Sequence, residues 1–324
     1  MDYAIVARHP GKAEVLEQHP IQIPSPKNGE VVLWQTAIGL NYIDVYHRSG
    51  AYPWAQKNDL IVGSEAAGIV VAVGDGVDNL AIGDRVAYTD PLNAYATCRT
   101  ISADRLVRLP DGISDEVGAA IMLKGLTAHY LIHDTFAVQA GQTVLVHAAA
   151  GGVGVLLGQW LRAKGVRAIG TAGGPEKCVI ARSHGYDDVI DYTSDDFVPI
   201  VRDMTQGKGV DAVYDSVGQS TWRGSVSVLR THGHFVNFGQ SSGPITDFTL
   251  GELAKGSFHA CRPVLFHYIS KPDELARRGK DLFDAIQTGI LACPISNRFS
   301  LENAADAHRA LEARSTTGLS VLVP

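Results

Sequence analysis

Between Thr143 and Lys164 the chain passes from a continuous apolar run to a spaced one. Thr143-Val-Leu-Val-His147 is short and apolar, Ala148-Ala-Ala-Gly-Gly-Val-Gly154 is small and glycine-rich, and apolar residues then recur at Val153, Leu156, Leu157, Trp160 and Leu161. Steps of three and four mark a helix buried along one face, so the segment predicts a strand, a tight turn and a helix. Further strand-type runs follow at 167–171, 188–192, 212–216 and 234–238, the earlier ones separated by helical stretches, with a sixth near 258–262. This alternation predicts a doubly wound parallel sheet with helices on both faces. The first 120 or so residues have another texture, with short β-type runs at 4–7, 30–37, 65–73, 85–88 and 106–109 punctuated by glycine and proline, and a helical pattern starting at Gly118. They predict an irregular, mainly β unit. Beyond the parallel block come a helical stretch at 272–288, a proline break, a second helix at 301–312 and a last strand at 319–323. That strand is too short to stand alone and is expected to return to the first unit. The expected organisation is α/β, with residues 1–124 and 265–324 forming a discontinuous first domain and 125–264 the second. Substrate is expected in the cleft between them, outside the carboxyl ends of the parallel strands.

Composition narrows the function classes. At 324 residues the chain exceeds one usual core, which agrees with two domains. Net charge of -6 argues against a polyanion-binding surface and so against nucleic acid as the main partner. No apolar run reaches the roughly 18 residues of a membrane span, and the N-terminus lacks a signal pattern, so a cytoplasmic protein is expected. The four cysteines, Cys98, Cys178, Cys261 and Cys293, are scattered without a C-x-x-C pair, which suggests neither a disulfide framework nor a cysteine-rich zinc site.

The glycine turn carries the clearest chemistry. Set against G-x-G-x-x-G it reads Ala149-x-Gly151-x-x-Gly154, the first glycine being replaced by alanine. Gly151 would let backbone approach a pyrophosphate, and Gly154 would let the helix pack closely on the sheet. Ala150, Gly151, Gly152 and Val153, at the turn and the helix N-terminus, are expected to face the phosphates of a dinucleotide.

Six segments, in order, then point to a family: Gly63-Ser-Glu-Ala-Ala-Gly68, Gly83-Asp-Arg-Val86, Lys124-Gly-Leu-Thr127, the turn from His147 to Gly154, Tyr214-Asp-Ser-Val-Gly218 and Asn237-Phe-Gly239. The chain resembles the zinc-independent NADPH:quinone oxidoreductases, including the zeta-crystallin group, of the medium-chain dehydrogenase/reductase superfamily. The resemblance implies a GroES-like catalytic domain, a Rossmann cofactor domain and usually a homodimer, in many members joined through the edges of the cofactor sheets. It further implies cofactor contacts at Asn41, Thr127, Ser216, Phe238, Gly239, Ser241 and Arg314.

Zinc-dependent relatives carry a cysteine near the position of Asn41 and a histidine at that of Ser64, before Glu65; amide and hydroxyl are poor zinc ligands, so no metal is expected. The twelve histidines are expected to be surface or satisfied core residues. At the end of the second parallel strand an NAD enzyme would place a carboxylate for the ribose 2′-OH. Here Thr171-Ala-Gly-Gly-Pro175 and then Lys177 leave room for a 2′-phosphate and a cation to pair with it, so the expected cofactor is NADPH. The resemblance adds Gly173 and Tyr192 to this pocket.

Hydride transfer requires alignment more than a protein nucleophile. The Asn41 amide and the hydroxyls of Tyr46 and Tyr52 are the expected donors to an acceptor oxygen, with the two tyrosines serving foremost as an aromatic wall. On one helical turn, positions 41 and 46 lie about 140° apart and Tyr42 is expected to face elsewhere. Glu65 is expected to be structural, buried beside an arginine such as Arg85. The expected substrate is a small-molecule quinone. An NADPH-dependent reductase of alkenals or enones, and a non-catalytic crystallin-like or RNA-binding role, are the alternatives.

Overall fold

A computed structural model of the chain describes residues 2–54 and 59–324. It divides into one unit holding the chain up to Leu126 together with Phe266–Gln287 and Cys293–Pro324, and a second holding Thr127–Leu265 and Thr288–Ala292.

The first unit is mainly β. Its strands are β1 (Tyr3–Ala7), β2 (Leu16–Pro20), β3 (Glu30–Gly39), β4 (Leu60–Ile61), β5 (Glu65–Val73), β6 (Arg85–Thr89), β7 (Cys98–Ser102) and β8 (Leu106–Arg108), with helix α1 (Tyr42–Ser49) following β3. The ten-residue β3 is the spine: β5 pairs antiparallel along one side, β7 takes part of the other, and the C-terminal strand reaches its end through Val321 and Leu322. The core inside these strands includes Leu33, Ile38, Val70, Tyr88 and Tyr95, all fully buried. Each large apolar side chain so placed contributes about 1.5–3 kcal/mol.

Helix α2 (Asp115–Tyr130) begins one turn before the Gly118 predicted from its apolar pattern, because Asp115 and Glu116 occupy a polar first turn where acidic residues favour the helix dipole. The second unit alternates β9 (Thr143–Val146), α3 (Gly152–Ala163), β10 (Arg167–Ala172), α4 (Pro175–Ser183), β11 (Asp188–Asp191), α5 (Phe197–Met204), β12 (Val210–Asp215), α6 (Trp222–Ser227), β13 (Leu229–Asn237), α7 (Gly251–Ala254) and β14 (His259–Cys261). All pairs are parallel, in the order β11-β10-β9-β12-β13-β14. The order reverses between β9 and β12, the switch point at which open α/β sheets hold ligands. Leu145, Ile169, Val213, Trp222 and Phe235 fill this unit's core.

The tail consists of α8 (Leu265–Tyr268), α9 (Pro272–Gln287), β15 (Ile295–Ser300), α10 (Ala304–Glu312) and β16 (Leu319–Val323). Strand β16 pairs with β15 and antiparallel with β3, so the end of the chain does return to the first unit. Among the described residues, no helix is long and apolar enough to cross a membrane.

Candidate active site

The glycine turn is sewn to both neighbouring strands. The His147 N–H donates to the Tyr214 carbonyl and the Ala149 N–H to the Thr171 carbonyl, each at 3.0 Å. Ala148 adopts φ of 54°, a left-handed conformation that costs a non-glycine residue about 1–2 kcal/mol. Ala149, where the fingerprint expects glycine, is tolerated because its methyl faces Gly170, where an added Cβ would come within 2.7 Å.

The two remaining glycines do different work. A Cβ on Gly154 would stand 2.4 Å from the Ala148 carbonyl oxygen and 2.6 Å from that of Ala149, so the fold itself demands this glycine. On Gly151 the nearest atom would be the Ala148 oxygen at 3.1 Å, and φ is an ordinary -79°. Among the described residues no side chain caps α3 at Gly151, which leaves first-turn N–H groups for an anion. The turn and helix end at Ala150, Gly151, Gly152 and Val153 therefore fit a dinucleotide pyrophosphate.

At the end of β10, Gly173 lies under Tyr192, whose hydroxyl would be 2.5 Å from an added Cβ. Lys177 is half-buried in the first turn of α4. The expectation that no carboxylate stands here needs correction. Asp191, at the end of β11, accepts from the Thr193 hydroxyl at 2.7 Å, the Gly174 N–H at 2.9 Å and the Thr193 N–H at 3.0 Å, and these bonds hold its pKa below the usual range. It belongs to the next strand over, so a search along β10 alone misses it.

Ser216, Phe238, Gly239 and Ser241 meet where β12 and β13 end. The Phe238 N–H donates to the Asp215 carbonyl at 2.8 Å and the Ser241 N–H to the Ser216 carbonyl at 3.2 Å. Gly239 packs so closely that a Cβ would lie 2.5 Å from the Ser216 oxygen. Thr127 is carried, buried, by α2.

In the first unit Asn41 is the N-cap of α1, not a member of it. Its N–H donates to Asp44 Oδ2 at 2.9 Å and its Nδ2 to Glu65 Oε1 at 2.9 Å. Its Oδ1, which faces the Asp44 N–H in the capping box of α1, is buried and among the described residues has no hydrogen-bond partner. Because a carboxylate only accepts, Glu65 orients the amide, and the atom left for a ligand is the oxygen, an acceptor. This corrects the expectation of Asn41 as a donor. Glu65, fully buried, also accepts from Lys124 Nζ and from the Leu123 N–H, both at 2.6 Å. Its cationic partner is Lys124 rather than Arg85, which pairs with Asp115 at 2.6 Å.

Tyr46 and Tyr52 have ring centroids 5.2 Å apart. Tyr42 does not face elsewhere: its ring meets that of Tyr46 edge-on at 5.2 Å, since residues four apart share a helix face. Arg314, in a left-handed conformation after α10, lies near enough to Tyr42 to act on its phenol, whose pKa burial raises and Arg314 lowers.

Behind α1 runs a chain of hydrogen bonds, buried except at its Glu312 end, that the sequence did not announce. Asp44 accepts from Ser64 Oγ at 2.8 Å and from the Tyr95 hydroxyl at 3.1 Å; the Tyr95 oxygen is 3.0 Å from His308 Nε2; His308 Nδ1 is 3.2 Å from Arg48; and Arg48 holds Glu312 through two bonds of 2.8 and 2.9 Å. Arg48 can only donate, so His308 accepts at Nδ1 and donates from Nε2, and Tyr95 passes its own proton to Asp44. Burial pushes the Asp44 pKa up to about 7, against the bonds from Ser64, Asn41 and Tyr95. Burial, reinforced by Arg48, pushes His308 down to about 3.

The site does not suit zinc. Ser64 Oγ is committed to Asp44 and the Pro91 carbonyl and the Asn41 amide to Glu65, and among the described residues no three His, Cys, Asp or Glu are grouped for a metal. His129, near the end of α2, and His133, in the π-helical turn that follows it, are four apart, a helical pair that the reading of the histidines overlooked. Their ring centroids lie 4.4 Å apart with the planes tilted by 31°, and each ring meets Trp160 edge-on.

A parallel sheet ordered for dinucleotide binding, with an uncapped glycine turn and a β unit ending in a returned strand, defines a medium-chain dehydrogenase/reductase. Residues 27–140 match the alcohol dehydrogenase GroES-like domain and 184–322 the zinc-binding dehydrogenase family. The chain is 46% identical over 316 residues to a quinone oxidoreductase of Pseudomonas aeruginosa, covering 97% of each. It is 39% identical to a 2-haloacrylate reductase of Burkholderia sp., covering 100% of this chain and 99% of that one. The structure of Escherichia coli quinone oxidoreductase complexed with NADPH superposes with a TM-score of 0.97 at 40% identity, covering 99% of this chain and all of that one. The chain belongs to the quinone oxidoreductase family.

Proposed function

We propose that this protein is a cytoplasmic, metal-independent reductase that uses NADPH to reduce quinones. The observation that carries the reading is the uncapped glycine turn at the switch point of the sheet, in a chain alike over its full length to a quinone oxidoreductase that holds NADPH. NADPH, when bound, supplies a hydride from the nicotinamide. The protein's part is to bind and align. Ala150, Gly151, Gly152 and Val153 take the pyrophosphate, Gly173, Lys177 and Tyr192 the 2′-phosphate ribose, and Thr127, Ser216, Phe238, Gly239, Ser241 and Arg314 the remainder of the cofactor. Asn41 contributes its unpaired amide oxygen to a donor on the cofactor. Tyr46 and Tyr52 offer ring faces to a flat acceptor and hydroxyls to its oxygen.

A homodimer is part of the same proposal. Strand β14 ends the sheet, all three of its residues are exposed, and an open edge of that kind invites a second copy. Light scattering on the purified protein tests it, with a monomer at working concentration as the opposing result.

Steady-state assays with NADPH and NADH on benzoquinone, naphthoquinone, an enone and 2-haloacrylate test the activity. Fast turnover of quinones with NADPH is expected. The 2-haloacrylate reductase relative favours a second reading, reduction of an activated carbon–carbon double bond, and turnover of the haloacrylate or enone without that of quinones would establish it in place of the first.

A further inference from the structure

Beneath the glycine turn lies a set of hydrogen bonds with no role in the contacts assigned so far. His147 follows β9, Thr171 is near the end of β10, Asp215 ends β12 and Ser225 lies on α6; all four side chains are buried. His147 Nδ1 is 2.9 Å from Thr171 Oγ1, and its Nε2 is 3.0 Å from Ser225 Oγ.

The protons on this relay can be placed. Asp215 accepts at Oδ1 from the Val217 and Gly218 N–H groups, at 2.8 and 2.9 Å, and at Oδ2 from the hydroxyls of Thr221 and Ser225, at 2.7 and 2.9 Å. Ser225 has one proton and spends it on acceptors, Asp215 or the Thr221 carbonyl at 3.0 Å, so toward His147 it accepts. Nε2 therefore carries the ring proton. Burial keeps the imidazole pKa below its ordinary value, so Nδ1 is bare and receives the Thr171 hydroxyl proton.

We propose that His147 is a positioning residue for the dinucleotide, fixing the carboxyl ends of three parallel strands in the arrangement on which the cofactor is laid. This rests on the glycine turn being the cofactor site. Thr171 is tied twice, by its hydroxyl to His147 and by its carbonyl to Ala149 in the turn, and Gly173 follows two residues later. Asp215 arranges Val217 and Gly218 beside Ser216. One imidazole thus spans the entry to the pyrophosphate turn, the strand leading to the 2′-phosphate pocket and the helix behind the Ser216 loop. An apolar side chain could fill its volume but would release both Thr171 and Ser225.

Two substitutions divide the ring. His147→Asn keeps an acceptor near Nδ1 for Thr171 and loses Ser225, whereas His147→Gln keeps a donor near Nε2 and loses Thr171. The full-length protein is titrated with NADPH by fluorescence, with thermal unfolding measured in parallel. His147→Gln is expected to weaken NADPH about tenfold and His147→Asn threefold or less, the cost of one lost buried hydrogen bond falling on only one of them. Thr171→Val should match His147→Gln, and the double variant should be no weaker than either single one. Thr171→Val carries the same comparison where His147→Gln fails to fold. If both histidine variants lower the melting temperature and leave NADPH affinity unchanged, or weaken it equally, His147 is a packing residue and the proposal falls. Nitrogen NMR of the wild-type imidazole gives a second readout: a protonated Nδ1 would overturn the relay. Wild-type protein that does not bind NADPH would instead bring down the cofactor reading on which the proposal stands.

Discussion

The Asn41 amide nitrogen donates to Glu65 at 2.9 Å, and that one bond decides which end of the amide a ligand meets. The oxygen is buried and, among the described residues, without a hydrogen-bond partner, which costs roughly 1–3 kcal/mol. Asn41→Ala should lower kcat by about tenfold to a hundredfold, through lost alignment. Tyr46→Phe and Tyr52→Phe should raise the quinone KM with kcat little changed, as expected of walls. Steady-state kinetics with deuterated NADPH, confirming that hydride transfer limits the rate, check both; intact KM with a thousandfold loss of kcat in Tyr46→Phe would make that tyrosine a proton donor.

Glu65→Gln would leave Lys124 buried opposite a neutral amide. Breaking one partner of such a pair costs about 3–5 kcal/mol, so urea denaturation should show a loss of that size. Adding Lys124→Met should recover part of it, because the double variant no longer buries an unpaired charge.

Lys177→Ala should weaken NADPH about 10- to 150-fold by removing a charge-assisted bond of roughly 1.5–3 kcal/mol, and leave NADH nearly untouched. Dissociation constants for both cofactors decide it. Equal weakening would take Lys177 out of the 2′-phosphate pocket and put more weight on Asp191 nearby.

The glycines of the turn should separate function from fold. Gly151→Val should stay folded by circular dichroism and lose NADPH, because its side chain would enter the phosphate space. Gly154→Ala should be destabilised even without cofactor, since its Cβ would lie 2.4 Å from a backbone oxygen. A Gly151→Val protein that is folded and binds NADPH normally would refute the first half.

Asp44 and His308 should pull stability in opposite directions with pH. With Asp44 raised to about 7, the native state keeps a proton that the unfolded chain releases above about pH 4, so this group lowers stability as pH climbs from 4 to 7. With His308 lowered to about 3, the unfolded chain binds a proton that the native state refuses below about pH 6.5, so this group raises stability as pH climbs from 3 to 6.5. Each slope is at most about 1.4 kcal/mol per pH unit, and between about pH 4 and 6.5 they oppose. Wild-type denaturation midpoints should vary little there. Asp44→Asn should gain stability with rising pH and His308→Gln should lose it; parallel profiles in all three proteins would contradict the assignment.

What the sequence conveyed and what it withheld follow from distance along the chain. The apolar run into the glycine turn announced β9 and α3, and the later runs announced the rest of the parallel sheet, because period and punctuation are local. Strands β2, β4, β7 and β15 went unpredicted: Leu-Glu-Gln-His-Pro and Ile-Ser-Asn-Arg-Phe-Ser owe their extended form to neighbouring strands rather than to apolar content. The candidate residues around Ser216 and Gly239 do come together in the second unit. The partners that orient Asn41 could not be read, because Lys124 lies 59 residues from Glu65 and His308 lies 213 from Tyr95. Tyr42 was misjudged by counting the helix from its cap.

The chain from Arg48 to Asp44 has one more consequence. Every donor in it points the same way, from a guanidinium that never releases a proton toward Asp44, whose Oδ2 also takes the Asn41 N–H and whose Oδ1 takes the Ser64 hydroxyl. Its first member has no proton to give up, so nothing enters the chain to be passed along. The chain is an electrical insulator in the protonic sense, transmitting shape from α10 to the start of α1 and no charge. No proton is drawn from Arg48 through the interior of the β unit.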